Sequence, residues 1–311
     1  MSEHMKASLD YQALPEQTPV PSSSGVVLAA YDLGQADGSL TSDRNLLFAH
    51  ATGFCAGVWA PLTAHLGEYR KVSLDFRGHG LSSVAAHGMD WAGTAEDVLA
   101  VIDAFEIEKP FGIGHSMGGA SLILAEQMRP GTFSGLWVYE PIIFPTGESS
   151  TVPEGLDIDD LSEKNPLVVS ALRRRSRFAS PGEAEKNFAS KPPLSDLCAT
   201  ALHAYVEYGF EQLPDGSISL RCQPEVEADT YRMGARHDAF AHLGEVTCPV
   251  TVARGHSQFP GPADLAPLIA QALPSATLQE FPSLGHFGPL QDPSLIATAV
   301  KSAVAAVAAA T

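Results

Sequence analysis

The pentapeptide Gly114-His115-Ser116-Met117-Gly118 follows the apolar run Phe111-Gly112-Ile113 and leads into the helix-like stretch Ala120-Ser121-Leu122-Ile123-Leu124-Ala125-Glu126. This order reads as a strand, a strained turn and a helix, with a serine at the apex. A side chain at 114 or 118 would crowd so tight a strand-to-helix crossing, and both positions are glycine. A serine held there stands clear of the backbone, where a carbonyl can reach it. Its hydroxyl is a poor nucleophile at neutral pH and needs a base beside it. The pattern G-x-S-x-G arises by chance in many chains, so its flanks and partners carry its meaning.

Around this turn, short apolar runs alternate with helix-period segments. The runs lie at 26–30, 46–49, 72–75, 111–114 and 136–139. Between the third and fourth, residues 97–105 place Val98, Val101, Ile102 and Phe105 on one helical face. Strands separated by helices imply right-handed crossovers and a mostly parallel sheet with helices on both faces, an α/β fold. The rhythm breaks at 145–234, which is polar, proline-punctuated and helical in pattern, for example at 194–210, and which holds Arg173-Arg174-Arg175. Strand rhythm returns at 250–253 and 277–281, and Asp292-Pro293 opens an Ala/Val/Ile helix, with Asp as cap and Pro in the first turn. The organisation expected is a flexible lead-in at 1–24, a core at 25–144 and 235–311, and a helical cap at 145–234. Inserted between the sixth and seventh core strands, that cap would sit over the carboxyl edge of the sheet as a lid.

Composition narrows the partners. A chain of 311 residues that is 45% hydrophobic can bury a large core. A formal net charge of −17 argues against nucleic acid or an anionic membrane surface. A small neutral molecule is the expected partner; oligomeric state is not legible. Cys55, Cys198, Cys222 and Cys248 form no C-x-x-C pair and read as reduced thiols, and the histidines show no metal-ligand spacing, so neither metal nor cofactor is expected. The N-terminus is polar and no run of about 18 apolar residues occurs, which reads as a cytoplasmic protein.

From about residue 25 to 305 the chain resembles the α/β-hydrolase fold family. The resemblance rests on 46–54 (Leu-Leu-Phe-Ala-His-Ala-Thr-Gly-Phe), 75–80 (Asp-Phe-Arg-Gly-His-Gly), 114–119 (Gly-His-Ser-Met-Gly-Gly) and Gly285-His286-Phe287. Each motif is weak alone, whereas four in order are specific. The cofactor-free, lid-bearing serine hydrolases are the most similar members.

The resemblance implies Ser116 as nucleophile and, after the last core strand, His286 as the base that takes and returns its proton. Most members carry the triad acid in a G-x-x-D turn after the seventh strand, but this chain reads Gly255-His256-Ser257-Gln258 there. The alternative family position, after the sixth strand, holds Glu140; Asp264 is the reserve candidate, although it suits the cap of the following helix better. For the oxyanion, the resemblance implies the backbone N–H groups of Met117 and of Thr52, with Gly53 beside it. Ala51 stands where the family usually has glycine. Phe54 and Trp59 are candidates to line a pocket, and Trp59 suits the core equally. His79 and His115 read as structural, and the three arginines as a solvated face.

The activity implied is cleavage of an ester, lactone or thioester through an acyl-enzyme. Carbon–carbon bond hydrolysis and perhydrolysis are alternatives within the same fold, and a non-catalytic small-molecule receptor is the alternative outside enzymes.

Overall fold

The structure is a computed structural model and describes residues 11–34, 45–145, 164–234, 236–257 and 261–310. Its main sheet is built from β1 (Thr18–Pro21), β2 (Val27–Asp32), β3 (Asn45–Ala49), β4 (Arg70–Leu74), β5 (Phe111–His115), β6 (Gly135–Tyr139), β10 (Val250–Gly255) and β11 (Ala276–Phe281), in the order β1-β2-β4-β3-β5-β6-β10-β11. β1 and β2 run antiparallel to their neighbours, and every other pairing is parallel. The central strands β3, β5 and β6 are buried at every position, as strands covered on both faces must be.

Alternation along the strands splits the core into two layers. Leu47, Val72, Leu74, Leu136, Val138, Val250 and Val252 face the helices Trp91–Ala104, Met117–Met128 and Pro262–Ala272. Leu46, Phe48, Phe111, Ile113, Trp137 and Tyr139 face the other way, toward the helix Pro293–Ala310. The helix Trp91–Ala104 starts where Asp90 accepts from the Gly93 amide at 2.7 Å, and it buries Val98, Val101 and Ile102. Asp292 likewise caps the C-terminal helix through the Leu295 amide at 2.9 Å.

Two expectations need correction. The lead-in 1–24 is not structureless throughout, because Thr18–Pro21 pairs with β2 as an edge strand. Pro19 and Pro21 are tolerated at an edge, where the missing N–H groups leave no ladder bond unmade, and Val20 between them is buried. The inserted segment is not purely helical either. Among its described residues, the helices Pro166–Leu172, Pro181–Ala189, Ala199–Gly209 and Pro224–Met233 accompany a three-stranded antiparallel sheet of β7 (Arg177–Phe178), β8 (Phe210–Gln212) and β9 (Ile218–Leu220). The turn Pro214-Asp215-Gly216 closes the β8–β9 hairpin, with Asp215 accepting from the Ser217 amide and hydroxyl. Phe178, Phe188, Tyr205 and Phe210 of this insertion join the same apolar layer as Phe54, Trp59 and Trp137 of the core. Residues 146–163 of the expected cap lie outside the described residues.

Candidate active site

The serine turn has the shape its sequence demands. Ser116 sits at φ 54, ψ −113, a conformation a non-glycine residue rarely adopts and one that costs about 1–3 kcal/mol. The Ser116 amide donates to the Tyr139 carbonyl at 2.9 Å, which ties the turn to the end of β6. A Cβ on Gly114 would stand 2.6 Å from the Gly119 Cα, and one on Gly118 would collide with the Ala49 carbonyl. Glycine therefore lets the helix Met117–Met128 press against both its own strand and the end of β3. Met117 is the first residue of that helix, so its amide lacks an intrahelical acceptor.

Glu140 follows β6 directly and is 1% exposed. Its Oε1 accepts from the Gly255 amide at 2.8 Å, and its Oε2 accepts from His286 Nδ1 at 2.6 Å. Like Ser116, it is held at positive φ, here 46°. A buried carboxylate is costly without partners, and these two bonds supply them. Asp264 is engaged elsewhere, accepting from the Gly261 amide at 2.9 Å at the start of the helix Pro262–Ala272. Gln258 lies outside the described residues.

His286 stands in a loop that three side chains hold. His115 Nε2 donates to the His286 carbonyl at 2.7 Å, the Tyr139 hydroxyl donates to the Gly285 carbonyl at 2.8 Å, and Gln291 Oε1 accepts from the Gly285 amide at 2.7 Å. The rings of His115 and His286 lie 4.9 Å apart, which sets His286 beside the residue that precedes Ser116. Burial, reinforced by the neighbouring His286, pushes His115 well below the usual imidazole range, so His115 is neutral. Burial and then Glu140 push the Tyr139 phenol up, which keeps it a donor.

After β3 the chain turns through His50 to Phe54, with the Phe54 amide donating to the Ala51 carbonyl at 3.2 Å. Gly53 takes φ +79, so this glycine supplies the left-handed residue that Ala51 does not. The Ala49 and His50 carbonyls abut Gly118, which brings the Thr52 turn to the same helix N-terminus as Met117. Phe54 packs its ring 5.2 Å from Tyr205 and 5.6 Å from Phe287, joining this turn to the insertion and to the His286 loop. Trp59 belongs to the core, 5.5 Å from Phe48.

His79 is buried, pushed down by burial, and its Nδ1 donates to the Arg77 carbonyl at 3.0 Å. Arg77 in turn forms a buried pair with Asp97 at 2.8 Å. This segment braces the loop after β4. The arginine cluster departs from a solvated face: Arg173 and Arg175 are exposed, but Arg174 turns inward onto Glu227 and Tyr205. Partners 31 and 53 positions away decide that orientation, so helical spacing gave no sign of it.

Comparison with known proteins agrees with this architecture. A family model described as "Alpha/beta hydrolase family" matches residues 46–299. The non-heme chloroperoxidase of Streptomyces lividans is 25% identical over 271 residues, covering 86% of this chain and 92% of its own. The 2-(acetamidomethylene)succinate hydrolase of Mesorhizobium japonicum is 25% identical over 213 residues, covering 68% of this chain and 70% of its own. A crystal structure of E-2-(acetamidomethylene)succinate hydrolase superposes with a TM-score of 0.70 at 20% identity, covering 92% of this chain and 97% of that one.

Proposed function

This chain belongs to the alpha/beta hydrolase family, and from that premise we propose that it is a serine hydrolase, cleaving an ester, lactone or thioester of a small, mostly apolar molecule through an acyl-enzyme. The observation that carries the reading is the 2.6 Å bond between His286 Nδ1 and Glu140. With Nδ1 committed to a buried carboxylate, Nε2 is the nitrogen left to accept a proton, and the imidazolium formed on attack is balanced by Glu140.

Ser116 attacks the substrate carbonyl as His286 takes its proton. The oxyanion is held by the N–H groups of Met117 and Thr52. As the tetrahedral intermediate collapses, the proton passes to the leaving oxygen or sulfur, leaving the acyl group on Ser116. Water, deprotonated by the same imidazole, then attacks the acyl carbon, and the imidazolium returns that proton to the Ser116 oxygen as the acid leaves. The insertion at 145–234 acts as a lid and sets which acyl groups fit.

Turnover of p-nitrophenyl acetate tests the scheme: Ser116→Ala is expected to lose roughly 10³-fold or more in kcat, and wild-type rates in that variant would refute it. A fluorophosphonate probe that labels the wild type and not Ser116→Ala separates an enzyme from a receptor of the same fold. His286→Ala should lose about as much as Ser116→Ala, so a wild-type rate in that variant would remove His286 as base.

Likeness to a non-heme chloroperoxidase favours one second reading, perhydrolysis. Hydrogen peroxide would take the place of water on the acyl-enzyme, giving a peracid and free Ser116. Peracid formation on adding peroxide to the ester assay distinguishes the two.

A further inference from the structure

The insertion meets the turn after β3 through charged groups that the scheme above does not use. Arg174 donates through Nη1 to Glu227 Oε2 at 2.7 Å and through Nη2 to the Tyr205 hydroxyl. The two side chains are only 18% and 8% exposed, and the guanidinium carbon lies 5.7 Å from the ring centres of both Phe188 and Tyr205. This pair reaches the turn itself. A Cβ on Gly53 would stand 2.9 Å from Glu227 Oε1 and 3.4 Å from Arg174 Nη1. The buried Cys222 thiol also lies within hydrogen-bonding reach of the Gly53 amide. An acidic group is thus packed against Gly53, in the turn whose N–H would stabilise the developing negative charge in the proposed scheme.

We propose that Arg174 and Glu227 are positioning residues for the oxyanion-binding turn: Glu227 fills the space behind Gly53, and Arg174 cancels the carboxylate charge that would otherwise oppose the oxyanion. The inference rests on Ser116 acting through an acyl-enzyme. Its physical basis is the weak screening of charges away from water, where one uncompensated carboxylate near the reacting oxygen raises the barrier. Shape and charge are divided between the partners, so the two halves of the pair are not equivalent.

The test is steady-state hydrolysis of p-nitrophenyl acetate, with active sites counted by fluorophosphonate labelling and folding followed by Tm. R174Q leaves Glu227 uncompensated and should lower kcat about tenfold or more, with KM within about twofold of wild type. E227Q removes the opposing charge and should hold or raise kcat. R174Q/E227Q restores neutrality and should return kcat to within about threefold of wild type. A bond with a purely structural role would weaken both single variants alike, so equal losses in R174Q and E227Q overturn the proposal, as does a double variant no better than R174Q. E227Q serves if R174Q does not fold: a tenfold loss of kcat in E227Q at unchanged Tm also overturns the proposal. A wild type that neither turns over the ester nor labels would instead remove the Ser116 reading, and this inference with it.

Discussion

Glu140 divides its two oxygens between a backbone amide and an imidazole, and each bond constrains the other. The Gly255 amide fixes the carboxylate, so the carboxylate can fix the ring. Replacing it by Glu140→Gln preserves the volume but offers the ring a neutral partner. We expect kcat on p-nitrophenyl acetate to fall by about 10³–10⁴-fold at nearly unchanged Tm; a loss under tenfold would mean that another group orients His286. Position 140 was legible because a carboxylate ending an apolar strand demands a partner. Arg174 was not, since three adjacent arginines carry no mark of which one faces inward.

At the scale of elements, the loop bearing His286 is held by its own turn, in which the Gly288 amide donates to the Gly285 carbonyl at 3.0 Å, and by its neighbours as well. His115, Tyr139 and Gln291 come from β5, β6 and the start of the C-terminal region, and each supplies one bond. Removing one by His115→Phe deletes a buried bond worth about 1 kcal/mol and frees the loop to shift. The expected result is a kcat loss exceeding what the Tm change implies, read from kinetics and thermal unfolding together; intact kcat would show that Tyr139 and Gln291 suffice. The central parallel strands β3, β5 and β6 were readable as apolar runs because burial on both faces removes polar residues from them. β1 escaped notice because two of its four residues are proline, and β8 and β9 because three-residue strands leave too few positions for alternation to show.

At the scale of the molecule, burial holds four histidines neutral among the described residues. His50, His79, His115 and His237 are each pushed below the ordinary imidazole range, desolvation being the largest cause. The unfolded chain takes up protons that the native state refuses. Their contribution is therefore intact above about pH 6.5 and lost below it, at up to about 1.4 kcal/mol per histidine per pH unit. Asp75 works in the opposite direction, since burial pushes its carboxyl up and acid relieves that cost. His242, pushed up by its bond to Glu245, acts in the same sense as Asp75 but is exposed and screened by solvent, so the four buried rings leave a net loss and Tm should drop between about pH 7 and pH 5. A constant Tm over that interval would contradict the neutral, buried state of these rings.

The main sheet is assembled from two stretches of chain, with β1 to β6 ahead of the insertion and β10 and β11 behind it. Ser116 and Glu140 belong to the first stretch, and His286 comes after the second. On the proposed mechanism, a ribosome makes the nucleophile and its acid long before it makes the base. If that mechanism holds, a growing polypeptide interrupted anywhere short of residue 286 carries a serine with nothing to activate it, and chemistry waits until synthesis has passed the final strand.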